Sequence, residues 1–204
     1  MEDIQRHYDE LEKYVTLIRT KYLDPFIPAH PTAKPSDYEF EVKSFCILSH
    51  AALEEYFENV AITIMHKSIE AFYSQTLTYP LLAMLSYSNQ RLSIDGNEDH
   101  AELKSFDNIR NLLEEFKQQF SIEINNNNGI SPKYLRKIFT PIYINIIDDP
   151  NIKNSLKQLA KERGSYSHKR KNPTIPPPED VRAYVDDCLS LCRNIKDQAY
   201  ALIK

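Results

Sequence analysis

The chain has 204 residues and a formal net charge of −4, with 42% hydrophobic and 26% charged residues. This composition is typical of a soluble globular protein, and it excludes binding of nucleic acid through overall positive charge, so any basic site must be local. The three cysteines are an odd count with no CxxC or other paired ligand spacing, so the sequence indicates neither a disulfide scaffold nor a zinc site.

The sequence carries no sign of a targeting segment or a membrane span. It begins MEDIQRHYDE, which is acidic and polar and unlike a signal peptide. One uncharged window, Ala71–Gln90, contains Pro80 and several polar residues, and it predicts a buried loop and helix instead of a membrane span. We expect a cytoplasmic protein that does not contact a membrane.

The first predicted element is a helix over residues 1–23, where apolar residues recur at spacings of three and four. Its apolar seam runs from Ile4 to Tyr22 and suits packing along another helix. Residues 24–37 contain four prolines and predict a stiff connector.

Residues 38–204 are predicted to form the core of the bundle. The periodicity predicts a long helix from about Tyr38 to Tyr73, a short helix around residues 81–85, and another helix over residues 109–120. The run NNNNG at 125–129 ends this last helix.

Two later helices are predicted from their starts, Ser131-Pro132 and Asp149-Pro150, in which a capping residue precedes a proline at the first helical position. The segment 142–147 is predicted to be helix or loop, because an isolated strand would have no partner. An apolar stripe predicts a closing helix up to Leu202. We therefore predict one all-α domain, residues 1–204, forming an up-and-down helical bundle of four to five core helices plus the N-terminal helix.

The most informative stretch is RGSYSHKRKN at 163–172, in which an arginine is followed five residues later by a histidine. On a continuous helix Arg163 and His168 would point about 140° apart. Glycine often ends a helix by adopting a left-handed conformation, so we expect Gly164 to end this helix and let His168 turn back towards Arg163.

The same stretch is locally basic. Between residues 161 and 171, Lys161, Arg163, Lys169, Arg170 and Lys171 are opposed by one acidic residue. Such a patch favours phosphate binding. The alternative interpretation is a solvated basic loop in which His168 satisfies a helix end.

RNA cleavage without a metal needs a base for the 2′-OH proton, an acid for the leaving 5′-oxygen, and a cation beside the phosphoryl oxygens. His168 could move protons near neutral pH, and Arg163 could hold two phosphoryl oxygens with its planar fork. Because one histidine is a poor base and acid at once, a symmetric dimer that brings two motifs together would solve the problem.

The sequence resembles the HEPN superfamily, and most closely its RiboL-PSP-like branch. Three segments carry the resemblance: SHAALEEYFENVA (Ser49–Ala61), LAKERGSYSH (Leu159–His168) and PEDVRAYVDDCLSLC (Pro178–Cys192). The second is similar to the R-x(4–6)-H signature of the family. The resemblance covers roughly residues 40–203 and implies a helical bundle that dimerises around the motif and acts as a metal-independent endoribonuclease in active members.

The resemblance also implies roles for particular residues. Arg163 and His168 would be catalytic, and Glu54 would orient the arginine by a charge-assisted pair. The alternative for Glu54 is that it begins a solvated edge with Glu55. His50 lies one turn before Glu54, where it could approach the same cleft, but a core or surface role is favoured.

Further residues are predicted to bind RNA: Tyr166 by stacking on a base, and Lys161, Lys169, Arg170 and Lys171 through phosphates. Packing over the helix end and simple solubility are the respective alternatives. No metal or nucleotide cofactor is expected. Gly164 stands where many members have a polar residue. Arg170 stands where some toxins have a tyrosine that a partner enzyme modifies, so that form of silencing is not supported.

The family implies a toxin or defence effector that acts on RNA as a homodimer, controlled by an antitoxin or a defence-system partner protein. The alternative is a catalytically inactive module that binds RNA or a protein, using the Ile4–Tyr22 seam and the closing helix.

Overall fold

The computed structural model describes residues 2–30, 32–87, 101–126, 129–168 and 175–202, apart from the side chains of 101–103 and 165–168. Within these ranges the regular structure is helical, as predicted, with seven α-helices and three short 3₁₀ turns. The helices are α1 (Glu2–Tyr22), α2 (Glu39–Tyr73), α3 (Tyr79–Ser86), α4 (Ala101–Asn125), α5 (Pro132–Phe139), α6 (Pro150–His168) and α7 (Pro178–Leu202).

The predicted seam of α1 is confirmed, and its partners lie within the same chain. Every member from Ile4 to Ile18 is buried, because α1 packs along α2 and α7. The connector that follows is fastened to the start of α7, where the backbone N–H of Ala29 donates to Glu179 at 2.6 Å. A module that used the Ile4–Tyr22 seam to bind a partner is therefore excluded in this fold.

The core is centred on α2, which contacts α1, α3, α4, α5, α6 and α7. Its buried side chains include Leu53, Phe57 and Ile64. The hydroxyl of Tyr56 donates to the carbonyl of Cys192 on α7 at 2.9 Å, which satisfies a buried polar group at the centre of the bundle. Because α2 is surrounded, a polar residue on it can be held inside the domain.

The predicted starts of α5 and α6 are confirmed. The hydroxyl of Ser131 accepts the N–H of Tyr134 at 3.3 Å, and the carboxylate of Asp149 accepts the N–H of Asn151 at 2.7 Å. Each cap satisfies a backbone donor that would otherwise have no partner at a helix start. The segment 142–147 contains the end of a 3₁₀ turn and a loop, as predicted.

The uncharged window after residue 71 is less buried than its composition predicts. It contains the end of α2 and all of α3, but Leu77 is 72% exposed and Tyr79 is 63% exposed. Leu77 lies in the loop before α3, and Tyr79 is the first residue of that helix. Among the described helices, none combines the length and apolar character needed to cross a bilayer.

Candidate functional site

Helix α6 carries the R-x4-H motif and does not end at Gly164. It continues as an α-helix to His168, so the expectation that Gly164 would turn the chain back is wrong. Glycine costs only about 1 kcal/mol relative to alanine inside a helix, and α6 is held along its length by packing against α2 and α7. The backbone positions of Arg163 and His168 are therefore about 140° apart around one helix axis.

Helix α6 is fixed against α7 by polar as well as apolar contacts. The hydroxyl of buried Ser155 donates to Asp187 on α7 at 2.6 Å. Leu159 and Glu162 are also buried, one and two turns further along. This packing sets the rotation of α6 and leaves Arg163, the residue after Glu162, half-buried at the edge facing α2.

The guanidinium of Arg163 acts on two side chains of α2. Its positive charge lowers the pKa of Glu54 and also lowers the pKa of His50. Only a charge close to both groups can have these effects, since distant exposed charges are screened by solvent. The structure thus places the charge of Arg163 near both Glu54 and His50. We call these three residues the α2–α6 cluster.

Glu54 is a largely buried acid within this cluster. Its side chain is only 19% exposed, whereas Glu55 faces the solvent, so Glu54 does not belong to a solvated edge. Burial raises the pKa of Glu54, while Arg163 and the backbone N–H of Gly129, which donates a hydrogen bond to the carboxylate, lower it. The charge of Arg163 and the hydrogen bond from Gly129 each favour the ionised form, but burial outweighs them, so the pKa of Glu54 stays above its ordinary value.

His50 lies one turn before Glu54 and is almost fully buried, with 2% of its side chain exposed. Burial and the nearby Arg163 lower the pKa of His50 to about 4, so its imidazole is neutral at pH 7. The distance from its Nδ1 atom to Oε2 of Glu54 is 3.7 Å, which is too long for a hydrogen bond but close enough for contact. His50 therefore lies against the acid as a neutral side chain and adds no charge beside it.

Gly129 is a component of this site that the sequence argument did not identify. It follows the asparagine run and has a φ of +155°, a conformation that side chains rarely adopt. This backbone directs the N–H of Gly129 to a carboxylate 75 positions earlier in the chain. The only signal in the sequence was the glycine itself, at the end of a run read as a helix stop.

The other predicted site residues are placed less completely. Lys161 is exposed on α6, where it can meet a ligand. The backbone of Tyr166 and His168 belongs to the last turn of α6, but their side chains lie outside the described part of the structure. Lys169, Arg170 and Lys171 lie outside the described residues altogether. Within the described ranges, no three His, Cys, Asp or Glu side chains converge in a way that could hold a metal ion.

The two described glycines of this region are expected to respond oppositely to alanine. At Gly129 a Cβ would meet nothing closer than Nε2 of His50 at 3.9 Å, so the cost of Gly129→Ala is backbone strain, about 1–3 kcal/mol of unfolding free energy. At Gly164 the helix has open space, and alanine should raise the unfolding free energy by about 0.5–1 kcal/mol.

Urea unfolding followed by circular dichroism measures both variants under one condition. Stabilisation by Gly129→Ala would show that the positive φ is not required in solution. Destabilisation by Gly164→Ala would show that residue 164 is not helical, as its sequence context had suggested.

A model of the RiboL-PSP-HEPN family matches residues 2–201. The match includes α1 as well as the three segments that carried the resemblance. Comparison with curated proteins and with solved structures gave no significant match.

Proposed function

The chain belongs to the RiboL-PSP-HEPN family, and from this premise we propose that it is a metal-independent endoribonuclease that cuts RNA at an R-x4-H site. The observation that carries the proposal is the α2–α6 cluster, in which the motif arginine lies beside a partly buried carboxylate and a neutral histidine. An arginine held in this way is preorganised, which a solvated basic loop would not require.

The reaction is an in-line displacement at phosphorus. The 2′-oxygen loses its proton to a base and forms a new bond to the adjacent phosphorus, while the bond from phosphorus to the 5′-oxygen breaks. An acid gives a proton to that leaving oxygen. The products are a 2′,3′-cyclic phosphate on one fragment and a 5′-hydroxyl on the other, and DNA, which lacks the 2′-OH, is not cut.

Arg163 is assigned to the developing negative charge on the phosphoryl oxygens, because its planar fork can donate to two of them. His168 is assigned to proton transfer. Glu54 is assigned as a positioning residue that acts through Arg163, whose nearby positive charge favours the ionised carboxylate.

The continuous helix α6 strengthens the argument for a homodimer. Since Arg163 and His168 lie on different sides of one helix, a single chain presents the two groups poorly to one phosphate. Two α6 ends related by a two-fold axis would place an arginine and a histidine from different copies around it, and would also supply separate acid and base histidines.

A ribonuclease of this kind would damage the RNA of its own cell. We propose that it serves as a toxin or defence effector, and that an antitoxin or a defence-system partner protein controls it. The cytoplasm, where RNA is the available substrate, is the proposed compartment.

The test incubates the purified protein with a labelled RNA oligonucleotide and with the DNA of the same sequence, both in EDTA. We expect cleavage of the RNA alone, with cyclic phosphate ends. The Arg163→Ala variant, purified identically, measures contaminating nuclease.

Two outcomes would contradict the proposal. Cleavage of the DNA would exclude attack by the 2′-oxygen, and intact RNA with a folded, dimeric protein would exclude catalysis. If RNA is bound but not cut, the chain is the inactive RNA-binding module of the alternative hypothesis.

A further inference from the structure

A groove between α4 and α5 lies outside the α2–α6 cluster and combines cations with aromatic rings. It encloses about 560 Å³. The cations come from α5, and the rings come from α4 and from the residue that follows α3. The side chains that matter for its chemistry are Tyr87, Phe116, Phe120, Lys133, Arg136 and Lys137.

The cations result from the two-sided character of α5. Tyr134, Leu135, Ile138 and Phe139 are buried, which leaves Lys133, Arg136 and Lys137 exposed on the opposite face. Spacings of three and four residues place these cations together along one side of the helix. In a chain of net charge −4, three cations on one short helix face form a local positive site.

Two of the three cations have acidic neighbours, and both pairs lie at the surface. Lys137 pairs with Glu123 across the groove, and Arg136 lies 3.9 Å from Asp148. Exposed pairs of this kind contribute little stability, so a phosphate can compete for the cations. Lys133 makes no ion pair with the residues that the structure describes.

The aromatic side of the groove suits a nucleobase. The rings of Phe116 and Phe120 stack with their centroids 5.4 Å apart and an angle of 18° between their planes. Phe120 is buried, while Phe116 is half-buried. At the rim, Tyr87 leaves 53% of its surface exposed. Exposed aromatic faces beside cations are the usual means of holding single-stranded nucleic acid.

The groove is connected to the candidate active site through the backbone. Gly129 donates to Glu54, and only residues 130–132 separate it from Lys133. Four steps of 3.8 Å limit the distance between the Cα atoms of Gly129 and Lys133 to about 15 Å. A strand bound at the α2–α6 cluster can therefore reach the first cation of α5 within a few nucleotides.

We propose that this groove binds a single-stranded segment of the RNA substrate, with phosphates on Lys133 and Arg136 and an unpaired base on Tyr87 and Phe116. The inference rests on the proposed function, since it identifies single-stranded RNA as the substrate class. Arg136 and Lys133 contribute charge, and the two rings favour unpaired over paired bases, because a base in a duplex cannot stack on a side chain.

The test measures binding of a fluorescein-labelled oligouridine by fluorescence anisotropy, in the His168→Ala background so that the RNA stays intact. The variant Lys133→Gln/Arg136→Gln should weaken binding at low salt about tenfold. It should also reduce the slope of log K against log salt by about 1.4, since each lost phosphate contact on a single strand contributes about 0.7. The matched control Lys13→Gln/Lys21→Gln removes two exposed cations from α1 and should leave the slope unchanged.

The aromatic contribution is tested separately with Tyr87→Ala and Phe116→Leu. Tyr87 is exposed, and leucine keeps the apolar packing at residue 116, so both variants should fold. Each should weaken binding of the oligouridine about fivefold or more, with little change in the binding of double-stranded RNA.

The possible outcomes separate this inference from the proposed function. Unchanged affinity and salt slope in the groove variants would overturn the proposal that the groove binds RNA, even if the wild type cuts RNA. Loss of binding in these variants would support the proposal that the groove binds RNA, even if the wild type proves inactive in the cleavage test. A wild-type protein that neither binds nor cuts RNA overturns both.

Discussion

Arg163→Ala is expected to cut RNA about 10²- to 10³-fold more slowly than the wild type, because it removes a preorganised donor to the phosphoryl oxygens. His168→Ala should lose about 10²- to 10⁴-fold through the loss of proton transfer. Single-turnover cleavage of a labelled RNA with excess enzyme measures both rates without interference from product release. Wild-type rates in either variant would remove the motif from the mechanism.

Arg163→Lys separates charge from geometry at the same position. Lysine keeps the positive charge but lacks the planar fork, so we expect it to restore only part of the lost rate. Full restoration would mean that a point charge is sufficient.

Glu54→Gln tests whether the acid acts through the arginine. It should slow cleavage less than Arg163→Ala does, and it should have no further effect when Arg163 is already alanine. Independent effects of the two substitutions would show that Glu54 acts on the reaction by another route. The pH dependence of the rate is an additional readout, because Glu54 is ionisable and glutamine is not.

The stability of the protein is expected to fall on acidification because His50 is buried as a neutral imidazole. Its pKa is about 4 in the folded chain, against an ordinary value of 6.5. As the pH falls below 6.5, His50 becomes protonated in the unfolded chain, whereas in the folded chain it stays neutral until about pH 4. The free energy of unfolding should therefore fall by about 2 kcal/mol between pH 7.5 and pH 5.

Two charged groups, Arg163 and Glu54, face His50. Both are present in the wild type and in the variant His50→Gln, so a comparison of the two proteins isolates the contribution of His50. Arg163 keeps the pKa of His50 low, and Glu54 has a raised pKa, so Glu54 stabilises the folded chain as the pH falls and opposes the histidine. In the variant His50→Gln, Glu54 still titrates and only the contribution of His50 disappears.

Urea unfolding at pH 7.5 and pH 5 gives the measurement. We expect the loss of stability in the variant to be about 2 kcal/mol smaller than in the wild type. His66→Gln, which removes an exposed histidine from the same helix, is the control and should follow the wild type. Equal losses in wild type and His50→Gln would show that folding does not lower the pKa of His50.

The helices could be predicted from the sequence because their signals are local. Ser131 and Asp149 act as caps within three residues of themselves, and the Ile4–Ile18 seam repeats within a single helix. The prediction at Gly164 was wrong because the tendency of glycine to end a helix was outweighed by the packing of α6 on its neighbours. The sequence does not show this packing.

The candidate site could be predicted only in part, for a related reason. Arg163 and Glu54 were found through a family motif and a resemblance between helices. Gly129 lies far from Glu54 along the chain, and its contact depends on one backbone dihedral angle. The burial of His50 depends on the elements that surround α2. Neither the contact of Gly129 with Glu54 nor the burial of His50 leaves a periodic or local pattern in the sequence from which it could be predicted.

The position of α7 has a consequence for how the chain folds during synthesis. Helix α7 completes the core by contacting α1, α2 and α6, and Tyr56 and Ala29 both bond to it. Translation at about 5–20 residues per second takes about 1–5 s to produce a helix of this length, and until then the seam of α1 lacks one of its partners. Because these contacts join distant parts of the chain, folding should be slower than in bundles with local contacts. The nascent chain would therefore expose α1 and α2 to chaperones, and the packing around the α2–α6 cluster would be complete only after α7 had left the ribosome.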